Sequence, residues 1–281
     1  MKKGLFSTMA ITIILLLSGC SGYNAILKSS DYVSKYELGK SLYIEGRFAN
    51  ASSVIEECVM MFRGSTKGEE SIYLLANCYD RMEDWQMAAE YYKTYYQSYP
   101  TGLYVENARF RTGYCLYRDT PDPRLDPTST YGAINELQSF LEYYPESERV
   151  REANDLIYEM YDRLVEKELK TVKLYHDMGN YMGNNYLSGI ITAQNALKNF
   201  PYTKYREELS IMILRCKYRM AVESVQDKMI DRYRDAIDEY YSFRNEFPDS
   251  KYMKEADKIF ASSSKLVGTT TANNSNDDND K

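Results

Sequence analysis

The sequence predicts an all-α protein, an α-solenoid of about five helical hairpins, and three observations carry that expectation. Composition comes first: of 281 residues only 14 are Gly and 7 are Pro, whereas 29 are Tyr, so residues that interrupt helices are scarce and aromatic residues are in excess. Four prolines then close aromatic-rich stretches in the same way, in Tyr99-Pro100, Tyr144-Pro145, Phe200-Pro201 and Phe247-Pro248. Twelve residues before each proline stands a small residue, Ala88, Ala133, Gly189 and Ala236. Stepping back 37 residues from Ala88 gives Ala51, in a unit whose proline slot holds Arg63.

The chain opens with Lys2 and Lys3 ahead of an apolar run from Leu5 to Leu17, broken only by Ser7, Thr8 and Thr12. At about 1.5 Å per helical residue, the run reaches only about 20 Å of a roughly 30 Å bilayer core. Residues 1–19 are therefore predicted to be a signal peptide that does not remain as a membrane span. The run ends in Leu17-Ser18-Gly19-Cys20, which resembles the bacterial lipobox. That resemblance implies lipid attachment at Cys20, and Ser21 after it is similar to lipoproteins sent to the outer membrane. Residues 20–31 are then a short lipid-anchored tether. Several acyl chains hold a protein at a membrane far more firmly than one does.

From Tyr32 onward the hairpins follow in order. The span 32–105 is predicted to hold repeats one and two, 106–150 repeat three, and 151–267 repeats four and five. An aromatic lies three residues before the small residue in four units, as Phe48, Trp85, Tyr186 and Tyr233, and the third unit has Thr130 followed by Tyr131. Gly39, Ala76 and Gly113 supply a second small residue on the first helix of the first three units. Small residues let two antiparallel helices approach, and proline ends the second because it lacks an N–H and clashes with the preceding turn. With these offsets, the segment from Tyr32 to Phe260 resembles the tetratricopeptide repeat (TPR). The marker residues are spaced 37, 45, 56 and 47 apart, so residues are inserted between units. The largest insertion, 118–129, holds the other three prolines. The tail 268–281, without an apolar residue after Ala272, is expected to be disordered.

In TPR arrays the first helix of each hairpin lines the concave face, with positions two, five, nine and twelve pointing inward. Setting Gly39, Ala76 and Gly113 at position eight places Tyr36, Lys40 and Tyr43, then Tyr73, Asn77 and Asp80, then Phe110, Tyr114 and Tyr117 along a candidate peptide groove. Tyrosine combines broad apolar contact at small entropic cost with a hydroxyl. Packing between hairpins is the competing use of these rings. Arg109, Arg111, Lys40 and Asn77 are candidates to grip a chain-terminal carboxylate.

Catalysis and nucleic-acid binding have little raw material. There is one His, and no Cys/His spacing of metal-site type, so no metal or cofactor is expected. The net charge is −6, from 35 basic and 41 acidic residues, against the basic footprint of a nucleic-acid binder. Gly64-Ser65-Thr66-Lys67 lacks the other features of a P-loop and is predicted to be a turn. His176 is expected at a helix end. Cys58, Cys78, Cys115 and Cys216 are expected to pack in the interior rather than pair. The acid pairs Glu56-Glu57, Glu69-Glu70 and Glu207-Glu208 are expected on solvated faces.

The lipobox, the Gly46-Arg47-Phe48-Ala49-Asn50-Ala51 turn, Pro100 opening the third repeat, and the segments 143–150 and 247–252 together resemble the BamD family of outer-membrane lipoproteins. Arg63 and the stretch from Tyr181 to Tyr186 depart from its pattern. The resemblance implies a non-catalytic component of the β-barrel assembly (Bam) complex, anchored in the outer membrane and facing the periplasm. It implies that C-terminal repeats bind the POTRA region of a BamA-like protein and N-terminal repeats receive unfolded outer-membrane proteins. The alternatives are another envelope TPR scaffold, serving division or peptidoglycan synthesis, and a glycan-uptake lipoprotein. The single Trp and the absence of an N-terminal coiled coil weigh against these.

Overall fold

The computed structural model describes residues 24–277, with side chains to residue 268. Residues 1–19, expected to be a signal peptide, and Cys20, the expected lipid-attachment residue, lie outside the described residues. After a helical turn at 24–28, the chain forms helical hairpins: α1 (Tyr32–Ile44) with α2 (Phe48–Met61), α3 (Thr66–Arg81) with α4 (Trp85–Ser98), and α5 (Val105–Arg118) with α6 (Thr128–Tyr143). There follow α7 (Val150–Met178) and α8 (Asn185–Asn199), α9 (Arg206–Val222) and α10 (Gln226–Glu246), and a final α11 (Met253–Asp277). The described residues are all-helical apart from turns and loops, and none of the helices is long and apolar enough to cross a membrane.

The local chemistry accounts for the boundaries. Asp31, Ser65, Asp84 and Asn184 each accept a backbone N–H in the first turn of α1, α3, α4 and α8, satisfying donors that a helix start leaves open. Helices α4, α6, α8 and α10 end one residue before Tyr99, Tyr144, Phe200 and Phe247, each followed by proline. Those residues leave the helical region, as the residue before a proline must. Where Arg63 replaces proline, Gly64 at φ +79° turns the chain after α2, and its N–H donates to the Tyr99 hydroxyl at 3.1 Å. The Gly64-Ser65 pair is thus a turn, with Thr66 and Lys67 already in α3.

Small residues sit where helices meet. A Cβ on Gly113 would come within 2.6 Å of the Leu137 side chain, so α5 and α6 approach at van der Waals contact only because that atom is missing. Gly39 of α1 faces Ile55 of α2 in the same way.

The chain divides into two compact units. The first comprises residues up to 121 together with 127–157, and the second comprises 122–126 and 158 onward. In the first, Ile72, Ala76, Ala88, Tyr92, Tyr95, Ala108 and Cys115 form one buried cluster, and Tyr36, Ile55, Cys58 and Leu75 another. In the second, Val165, Leu169, Val172, Ile190, Leu209, Met212, Ile213 and Cys216 form the largest, with Ile211, Leu214, Tyr240, Phe243 and Ala256 beside α11.

Three expectations are adjusted. The insertion is shorter than 118–129, because Arg118 still closes α5 and Thr128 already opens α6 behind Pro127, a residue whose missing N–H costs nothing at a helix start. Its residues 122–126 group with the second unit, where Lys167 Nζ donates to the Leu125 carbonyl at 3.0 Å. The backbone of α11 continues to Asp277 rather than stopping near residue 267. Extending a nucleated helix gains one hydrogen bond per residue fixed, and no proline stands in that stretch. The four described cysteines are buried free thiols, and loss of hydration pushes Cys78, Cys115 and Cys216 up to about 12.

Candidate functional site

Helices α1 and α3, with the residue ahead of α5, form an open pocket of about 350 Å³ lined by Tyr36, Lys40, Glu70, Tyr73, Leu74, Asn77 and Tyr104. Tyr73 and Tyr104 stack with centroids 4.3 Å apart and planes within 9°. Asn107 Nδ2 donates to the Tyr73 hydroxyl at 2.6 Å, and burial raises that phenol above its ordinary range. Lys40 stands with Nζ 5.0 Å above the Tyr36 ring, half-exposed, with its nearest carboxylate, Glu37, 4.0 Å away. The result is an aromatic floor with Lys40 at its rim and Lys67 Nζ 5.6 Å from the same Tyr36 ring, able to hold an apolar segment and a carboxylate together.

Of the residues expected along this face, Tyr36, Lys40, Tyr73 and Asn77 line the cavity. Tyr36 is mostly core: only 2% exposed, with its hydroxyl donating to Glu70. Burial first, then that carboxylate, drives its pKa upward. Asn77 is held on both sides, Nδ2 donating to the Tyr73 carbonyl at 2.9 Å and Oδ1 accepting from Tyr92 at 2.8 Å. Asp80 accepts from Tyr92 at 2.9 Å and pairs through both oxygens with Arg111. Burial opposes the Arg111 charge, yet the Asp80 hydrogen bonds outweigh it and hold the guanidinium firmly protonated.

The others have different employment. Tyr43 packs edge-on against Phe48 at 5.3 Å, filling the first hairpin turn. Phe110 is fully buried against Phe140. Tyr114 lies under the Arg111 guanidinium at 4.5 Å and next to Tyr117 at 6.2 Å, and neither ring lines the cavity. Arg109 is clamped between the rings of Tyr96 and Tyr143, at 4.3 and 3.9 Å. The expected grip by Arg109, Arg111, Lys40 and Asn77 therefore does not assemble. Arg109 is taken up by packing between rings and Arg111 by its pair with Asp80, leaving Lys40 as the cation that lines the cavity.

Leu74 and Tyr104 line the cavity without having been singled out, Glu70 lines it although it was expected only as half of a solvated acid pair, and Asn107 braces it. Glu70 and Asn107 occupy position two of the second and third repeats, so the register that placed their neighbours also contained them. Tyr104 precedes its helix and no register position marks it. The acid pairs are not simply solvated faces: Glu69 accepts from Tyr95 at 2.6 Å, Glu56 from Tyr91 at 3.2 Å, and Glu207 from Ser250. His176 lies in the last turn of α7, with Nδ1 3.2 Å from Asp177. Among the described residues, no cluster of His, Cys, Asp and Glu could hold a metal ion.

A family model described as the outer membrane lipoprotein YfiO matches residues 29–229. The chain belongs to that family. Membership covers the groove, both compact units in large part, and every helix from α1 through α9. Among curated proteins no sequence matches significantly. Among solved structures, a thermophilic TPR protein of Thermus thermophilus is similar at 16% identity over 83% of this chain and 98% of that one, with a TM-score of 0.32. The hairpin architecture of this YfiO-family chain rests instead on its own helix order and capping.

Proposed function

We propose that this YfiO-family lipoprotein is a non-catalytic component of the outer-membrane β-barrel assembly machinery, anchored through Cys20 and facing the periplasm. In this reading the α1/α3 groove receives the C-terminal segment of an unfolded outer-membrane protein, and the C-terminal repeats bind the POTRA region of a BamA-like partner. The groove supports it most directly: stacked Tyr73 and Tyr104 offer a platform for an aromatic side chain, and Lys40 offers a charge for the terminal carboxylate. No bond is made or broken; tethering raises the concentration of substrate beside the barrel catalyst.

The experiment is peptide binding followed by fluorescence anisotropy, using a labelled peptide that ends in phenylalanine and its C-terminally amidated twin. Lys40→Ala is expected to cost about 1 kcal/mol of affinity toward the free carboxylate and little toward the amide. Tyr104→Ala is expected to weaken both peptides by about 1–2 kcal/mol. Equal binding of all proteins to both peptides would remove the groove from the account.

A further inference from the structure

We propose that the second unit carries a pocket for a single arginine side chain presented by a partner protein. This pocket, about 290 Å³, lies between α7 and the α8–α9 loop and is lined by Tyr158, Tyr161, Asp162, Phe200, Tyr202 and Thr203, with Asn199 and Pro201 completing it. It shares no residue with the α1/α3 groove, so it stands whether or not the barrel-assembly reading does.

Its rings are presented differently from the many tyrosines that are buried against carboxylates. Tyr202 is 86% exposed and Tyr158 53% exposed, while Phe200 leans on Tyr161 with centroids 5.3 Å apart. At the pocket wall the Asp162 carboxylate is fixed in orientation, one oxygen accepting from Thr203 Oγ1 at 2.7 Å and from the Lys204 amide at 3.2 Å. The other oxygen has Lys204 Nζ at 3.7 Å, beyond hydrogen-bond length. Asn199 is the last residue of α8, so the negative pole of that helix adjoins the pocket.

Aromatic faces, a carboxylate whose second oxygen carries only the 3.7 Å ion pair with Lys204 and a helix C-terminus all favour a cation. A guanidinium suits them best, being planar, weakly hydrated and able to stack on a ring while its fork donates to a carboxylate. The chain's net charge of −6 draws basic segments toward it. Lys204 acts as an internal competitor for Asp162, loosely placed and displaceable.

The test is NMR titration of N-acetyl-arginine methylamide into the protein carrying 13C-labelled tyrosine rings. Ring signals of Tyr158, Tyr161 and Tyr202 should shift and saturate in the millimolar range, and neutral N-acetyl-norleucine methylamide should leave them in place. Tyr202→Ala, which alters a solvent-facing ring, should weaken binding about fivefold. Lys204→Ala should tighten it about two- to fivefold by freeing the Asp162 oxygen. Absence of shifts, an equal response to norleucine amide or N-acetylglucosamine, or unchanged affinity in Lys204→Ala would overturn the proposal.

Discussion

Tyr95 donates its hydroxyl to Glu69 at 2.6 Å and accepts from the Tyr104 amide at 3.0 Å, tying the helices of one hairpin to the start of the next. The same device recurs: Tyr36 with Glu70, Tyr91 with Glu56, Tyr96 with Glu136, Tyr186 with Glu223 and Tyr240 with Asp257. The phenols are buried or half-buried while Glu56, Glu70, Glu223 and Asp257 are exposed, so each bond satisfies a hydroxyl that has lost water without burying a full charge. The tyrosine excess thus serves the joints between helices more than the groove. Tyr95→Phe keeps the ring and removes both hydrogen bonds, so it should destabilise the first unit by about 1–3 kcal/mol, measured by urea unfolding at constant m-value. Acid titration probes the charged pairs. Arg215 donates to Glu255 through two bonds of 2.7 Å, and that pairing holds the Glu255 carboxyl below its ordinary 4.5 despite burial. Its contribution is therefore fully present above pH 4.5 and lost as pH falls through the lowered value. The thermal midpoint should stay flat between neutral pH and about 5 and then drop, less steeply in Glu255→Gln. These joints were not legible in the sequence, because their partners stand tens of residues apart and an acid pair reads locally as a solvated face. Arg109 was misplaced for the same reason: only the fold brings Tyr96 and Tyr143 to its two sides.

Helices and their ends were far more legible, since proline, caps and small residues act on their own neighbourhood. Each of the four Tyr/Phe-Pro pairs closes a second helix, and Ala51, Ala88, Ala133, Gly189 and Ala236 all fall on second helices. What the spacing did not reveal is which side of a first helix faces its partner. Position five, read as groove-facing, carries the buried Tyr36 and Phe110 because that stripe also meets neighbouring helices. Close approach at the small positions gives the element-scale prediction. Gly113→Ala adds a methyl where the Leu137 side chain already stands, and should cost about 1–3 kcal/mol through overpacking despite alanine's better helix propensity. Calorimetry on the folded variant checks the sign: a higher midpoint than wild type would mean that α5 and α6 are not held at contact distance. The four thiols give an independent check on helix packing. Buried and with raised pKa values, they should react with a disulfide reagent at about pH 8 only as fast as the units open, and all at once in denaturant.

At the scale of the whole chain, membership of a family of outer membrane lipoproteins and the order of hairpins support a scaffold. The groove in the first unit and the arginine pocket in the second would let one chain hold two partners at once. Anchoring at Cys20 would confine both to the membrane surface. Cys20→Ala should leave the fold and peptide affinity unchanged while moving the protein from the membrane to the soluble envelope fraction, as fractionation would show. The central claim is the assignment to barrel assembly, and affinity capture of the tagged full-length protein from mild detergent extracts tests it most directly. Recovery of a POTRA-containing barrel protein in near-stoichiometric amount is the expected result. Capture of a division, peptidoglycan or sugar-uptake partner in its place would contradict it.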